Sequence, residues 1–225
     1  MRSLLRFLAG VVLPIALIIL GAQLLRPGTV EEPPPPSLEV DEASAPSAEP
    51  TDGTWRIVAE ESFVGYRIDE RDPTRGARTN EAVGRTSAIE GRLTVDDGAV
   101  VDATITVDLT ELESTEPRRD QMIRQRYLES FDYPEARFEL TAPVALDPPG
   151  DGAVDEAVIE GRLELREQSA AITVPVEVVW DEQSARVVGR GRVDLDDYGI
   201  APPQIAGFRF VSDEGYVEVD LTLRP

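Results

Sequence analysis

Four stretches of this chain alternate apolar and polar residues with a period of two, and that rhythm leaves few folds open. Val101, Ala103, Ile105, Val107 and Leu109 interleave with Asp102, Thr104, Thr106 and Asp108. Ile159, Gly161, Leu163 and Leu165 interleave with Glu160, Arg162 and Glu164. Ile172, Val174, Val176 and Val178 do the same with Thr173, Pro175 and Glu177, and Val217, Val219, Leu221 and Leu223 with Glu218, Asp220 and Thr222. Successive side chains on a strand point to opposite faces, so each stretch reads as an antiparallel strand with one buried and one wet face. Weaker strand patterns occur over 56–60, 62–68, 89–95, 136–142 and 185–195. Turn signals punctuate them at Asp96–Gly98, Asp147–Gly150 and Asp213–Gly215.

About eight strands, each with one apolar face, must close into a barrel or stack as two sheets. A single helical insertion is expected over Glu116–Glu129, where Met122, Ile123, Tyr127 and Leu128 share a face. The expected class is therefore all-β, with one short helical insertion. Gly189 and Gly191 fall on the inward alternation of Val187 and Val193. They either leave room inside or permit the strand to coil.

The N-terminus has a different grammar. Phe7 to Leu25 is apolar apart from Gln23, preceded by Arg2 and Arg6 and followed by Arg26. Nineteen helical residues span roughly 28 Å, close to the ~30 Å hydrocarbon core of a bilayer. The run exceeds a signal peptide's apolar region and no small-x-small cleavage pattern follows, so residues 1–26 read as a cytoplasmic stub and an uncleaved single-pass anchor. Arginine before the span and acids beyond it place the N-terminus in the cytoplasm and the remainder outside the cytoplasmic membrane. Residues 27–53, with four consecutive prolines at Pro33–Pro36, read as an extended, solvated spacer. Residues 54–225 form the folded domain.

The formal net charge is -21, and all 22 basic residues are arginine. Such a surface repels nucleic acid, whose binding requires cationic neutralisation of phosphates, and anionic lipid head groups as well. The chain has no cysteine and no histidine. Disulfides, thiol nucleophiles, Cys/His zinc sites and histidine-based triads are thereby excluded together. Asp194, Asp196 and Asp197 lack the glycine and distal glutamate of a calcium loop. Nothing singles out two carboxylates as a catalytic pair, so no enzymatic role is assigned.

Several residues then resemble one family. Ser62-Phe-Val-Gly-Tyr66 after Trp55, Ile89-Glu-Gly91 with Leu93, and the strand ending in Asp108-Leu-Thr-Glu-Leu112 are similar to the opening strands of YceI-like proteins. So is the central run: Arg119-Asp120, then Leu128 and Phe131, a Tyr133-Pro134 turn and Phe138. Gly161-Arg-Leu163 and Asp197-Tyr-Gly-Ile200 complete the likeness over nearly all of residues 54–225. Met122, Thr86 and Glu167–Ser169 depart from the usual pattern, where histidine, an aromatic and a Gly-x-Thr turn are common.

The resemblance implies an eight-stranded antiparallel, lipocalin-like barrel of the cell envelope that binds an isoprenoid lipid or a quinone tail and needs no other cofactor. The inward set is the candidate lining: Val64, Tyr66, Ile89, Leu93, Ile105, Val107, Tyr127, Phe138, Leu140, Leu163, Val176 and Val178. An eight-stranded barrel is either filled by side chains or just wide enough for one small ligand, and the alternation is compatible with both. Arg119-Asp120 serves either a polar head group or the fold. Tyr127, Phe131, Tyr133, Phe208 and Phe210 either gate a barrel mouth or pack ordinarily. The competing reading of the whole domain is a ligand-free module that presents a surface to an unknown envelope partner.

Overall fold

The structure, a computed structural model, describes residues 32–38, 51–72, 78–145, 154–180, 183–202, 204–205, 208–209 and 211–225. The expected anchor at 1–26 lies outside the described residues. Among those described, no helix is long and apolar enough to cross a membrane.

The described residues form fourteen strand segments: β1 (Gly53–Ile57), β2 (Phe63–Asp72), β3 (Arg78–Thr86), β4 (Ile89–Asp96), β5 (Ala99–Asp108), β6 (Glu113–Ser114), β7 (Glu135–Leu140), β8 (Val144–Ala145), β9 (Asp155–Leu165), β10 (Gln168–Trp180), β11 (Ala185–Asp194), β12 (Gln204–Ile205), β13 (Phe208–Arg209) and β14 (Val211–Arg224). All but β12 and β13 belong to one antiparallel sheet. The sheet closes on itself because β14 pairs β11 on one side and both β1 and β2 on the other. Several segments are halves of one bent strand. β1 and β2 follow one another along β14, with Ile57 opposite Leu223 and Phe63 opposite Asp220. Their partners β4 and β3 form the other arm of the same bent hairpin. Counted this way the ring has eight staves, as expected.

Buried Ser62 holds the bend between β1 and β2. Its hydroxyl donates to Val58 O at 2.7 Å and accepts from Thr222 N at 2.9 Å, while its carbonyl accepts from Ser87 Oγ at 2.7 Å. The β9–β10 turn is tight, with Arg166 and Glu167 both at positive φ (51° and 61°), and Leu165 pairs Gln168 across it. Inward side chains fill one end of the barrel, where Trp55 and Trp180 meet edge to face with centroids 5.3 Å apart.

Three expectations need correction. The alternation over 101–109 breaks at its start: Val101 is 42% exposed and Val100 is buried. A register shift between Thr94 and Val95 sets Val100 opposite Val95, so the bulge reverses the facing of this strand end. The helical insertion is shorter than 116–129. Helix α1 (Pro117–Met122) passes into a π-helical turn over Ile123–Tyr127. Pro117 sets its start, and the wider turn places Tyr127 toward the barrel. Finally, residues 32–38 of the expected spacer are not simply solvated. Pro33 O accepts from Arg67 Nη2 at 2.7 Å, Pro34 O from Arg85 Nη2 at 2.8 Å, and Leu38 N reaches Glu177 Oε2 at 3.4 Å. A proline run makes no hydrogen bonds of its own, so its carbonyls are available to arginines on the barrel wall.

Candidate functional site

The barrel interior is open over much of its length. A cavity of about 280 Å³ runs between β2, β5, β7, β9, β10, β11 and β14 and ends beneath α1 and its π turn. A second cavity of about 80 Å³ continues toward Trp180. Ile105, Phe138, Ile159, Val176, Val187 and Leu221 border both, so the two are neighbours that share these side chains as walls. The alternation that made the strands puts these apolar side chains inside.

Of the candidate lining residues, Val64, Tyr66, Val107, Tyr127 and Leu163 border the larger cavity, and Leu93, Leu140 and Val178 the smaller. Ile105, Phe138 and Val176 border both. Ile89 borders neither. It is buried in the core at the bend where β3 gives way to β4. Val193, Leu195, Ile200, Val217, Val219 and Leu221 also line the larger cavity. The strand rhythm of 217–221 and the Asp197–Ile200 element carried that signal.

Gly189 and Gly191 supply no lumen. A Cβ on Gly189 would stand 2.4 Å from Pro175 O, and one on Gly191 would stand 2.8 Å from Val174 Cγ2. They are sites of close approach to β10, which favours the coiling alternative. Two other glycines are covered by rings. Phe138 lies over Gly161 and Tyr66 over Gly84, each ring occupying the space a Cβ would take.

The end of the larger cavity under α1 carries its polar groups. Asp120 is structural: it is buried and accepts from Ser114 N at 2.9 Å and Ser114 Oγ at 2.5 Å, tying α1 to β6. Arg124 Nη1 donates to Leu112 O at 3.0 Å. Arg119 borders the cavity itself. Its Nη1 pairs Glu32 Oε1 at 3.0 Å and its Nε pairs Glu70 Oε1 at 3.2 Å. Burial pushes the Tyr66 phenol well above the usual tyrosine range; Arg119 opposes that shift, and Asp120, Glu70 and Glu32 reinforce it. Met122, 46% exposed, forms part of the rim and accepts from Tyr127 Oη at 3.9 Å. Phe131 is 72% exposed and does not border this cavity. The side chains of Phe208 and Phe210 lie outside the described residues. No group of three or more acidic side chains is arranged to hold a metal among the described residues.

Comparison with known proteins gives a consistent picture. The model of the YceI-like domain family matches residues 55–223. Among solved structures, BcnA of Burkholderia cenocepacia is similar with a TM-score of 0.59 at 16% identity, covering 74% of this chain and 98% of that one. A polyisoprenoid binding domain from Saccharophagus degradans gives 0.57 at 16% identity, covering 76% and 97%. The Campylobacter jejuni YCEI protein gives 0.53 at 14% identity, covering 63% and 84%. At these identities the likeness is one of fold. No curated protein is similar enough in sequence to count as a match.

Proposed function

The chain belongs to the YceI-like domain family, and from that premise we propose that it is a non-catalytic binding protein that holds the apolar chain of an isoprenoid lipid or quinone inside its barrel. The observation that carries this reading is the interior itself: adjoining cavities of about 280 and 80 Å³ with apolar walls along the length of the barrel. Each buried CH₂ of a ligand tail contributes roughly 0.8 kcal/mol, so a long tail is held without specific contacts along the wall. A relative of the same fold is described as a polyisoprenoid binding domain, which agrees with this use of the interior.

In this reading residues 1–26 anchor the chain in the cytoplasmic membrane and the barrel works on the extracytoplasmic side. The support is the apolar run Phe7–Leu25 and the arginines before it. Organic extraction of the full-length protein, purified from membranes, followed by mass spectrometry tests the reading. A co-purifying isoprenoid lipid is expected. A protein that is empty, and stays empty after incubation with such lipids, would leave the interaction-module reading in its place.

A further inference from the structure

The larger cavity is apolar except at the end under α1. There Tyr66 Oη is shut off from solvent and has no hydrogen-bond partner among the described residues. Its position is fixed, because the ring lies against Gly84 in the space a side chain would take. A buried hydroxyl without a partner is a destabilising feature that a bound group would relieve. The tyrosine remains a donor at any ordinary pH, since burial holds the phenol protonated.

The charges around that hydroxyl decide what it can meet. Among the described residues, the guanidinium at this end of the cavity is that of Arg119, and it is already paired. Arg119 directs Nη1 to Glu32 and both Nε and Nη2 to Glu70. The neighbouring Arg67 turns its side chain to the outside of the barrel, with Nε on Glu218, Nη1 on Glu81 and Nη2 on Pro33 O. Neither offers an anion a guanidinium free of carboxylate. Tyr66 meanwhile feels Glu32, Glu70 and Asp120 against the single cation Arg119. A phosphate or diphosphate brought there would meet a guanidinium already paired with two carboxylates, with Asp120 adding a third negative charge nearby.

We infer that the lipid held in this barrel carries an uncharged head group with an accepting oxygen, a carbonyl or a hydroxyl, to which the Tyr66 O–H donates, and that Glu32, Glu70 and Asp120 exclude phosphorylated lipids with the same tail. This rests on the lipid-binding reading above and adds to it the class of head group.

The test uses the full-length protein in dodecyl maltoside, loaded with tritiated geranylgeraniol. Unlabelled geranylgeraniol and geranylgeranyl diphosphate are compared as displacers, so that the tail is held constant. The alcohol is expected to displace at a concentration at least about tenfold lower than the diphosphate, the scale of one lost hydrogen bond plus like-charge repulsion. Tyr66→Phe is expected to weaken the alcohol several-fold and leave the diphosphate unchanged. The double variant Glu32→Gln, Glu70→Gln is expected to narrow the gap. A diphosphate that displaces as well as the alcohol, or an alcohol indifferent to Tyr66→Phe, overturns the inference while leaving lipid binding intact. Failure to retain the labelled alcohol at all overturns the lipid-binding reading, and this inference with it.

Discussion

Arg67 and Glu218 form a buried ion pair diagonally across the β2–β14 ladder on the outside of the barrel, Nε to Oε1 at 2.5 Å, beneath the carbonyl of Pro33. Glu218 has no exposed surface, and Arg85 Nη2 supplies its second contact at 3.3 Å. The docked residues 32–38 therefore cover a charged patch and not an apolar one. Burying charge this way is tolerable only while every partner stays in place.

Arg67→Leu should destabilise the protein by about 3–5 kcal/mol, because it leaves the Glu218 carboxylate buried with a single, longer contact. Replacing both residues, as Arg67→Leu with Glu218→Leu, should recover much of that loss. Urea denaturation of the two variants measures the difference. Equal destabilisation by the single and double changes would show that the pair is not coupled.

Gly189→Leu should cost about 1–3 kcal/mol by overpacking. Its Cβ would meet the Pro175 carbonyl at 2.4 Å and Val176 Cγ1 at 2.7 Å, and both belong to the adjacent strand rather than to a flexible side-chain tip. A falling melting temperature without a change in bound lipid is the expected pair of readings.

Val187→Phe should act the other way round. Val187 borders both cavities, so a larger side chain there takes volume from them. Bound lipid in the extract should fall, with stability changing by less than about 1.5 kcal/mol because the added volume enters open space. A large drop in melting temperature with lipid retained would show that the space beside Val187 is already packed.

Tyr198 gives a pH dependence. Burial, reinforced by Asp197, pushes its phenol up to about 12. The unfolded phenol ionises near 10. Folded-state stabilisation from this group is therefore full below pH ~10 and declines as pH rises toward 12, since the unfolded state loses its proton first. Denaturation midpoints across that window should decline less steeply in Tyr198→Phe.

Much of the ring was legible because period two is a property of the strand itself. β9, β10 and residues 217–223 of β14 each carry an uninterrupted apolar–polar alternation, and their inward residues line the cavities. β3 was not legible. Ala82, Val83 and Gly84 are consecutive and all buried, so no alternation marks this part of the strand. Val101 was misread because a bulge between two strands leaves no trace in the sequence of either. The polar end of the cavity was half legible. Tyr66 and Arg119 stood out as residues, but Glu32 and Glu70 approach Arg119 from a proline-rich segment and a distant strand, and only the fold brings them together.

The way the ring closes also fixes when it can close. β14 is the last stave in the sequence, yet it is the partner of the first two segments: Ile57 waits for Leu223 and Phe63 for Asp220. A chain made from its N-terminus exposes β1 and β2 long before that partner exists. During that interval the half-built sheet has an open edge, the kind of surface that pairs with other chains. A net charge of -21 makes such pairing electrostatically costly. The acidity that keeps the finished barrel soluble thus also guards the unfinished one, and the time to β14 becomes the period in which the protein is most vulnerable to aggregation.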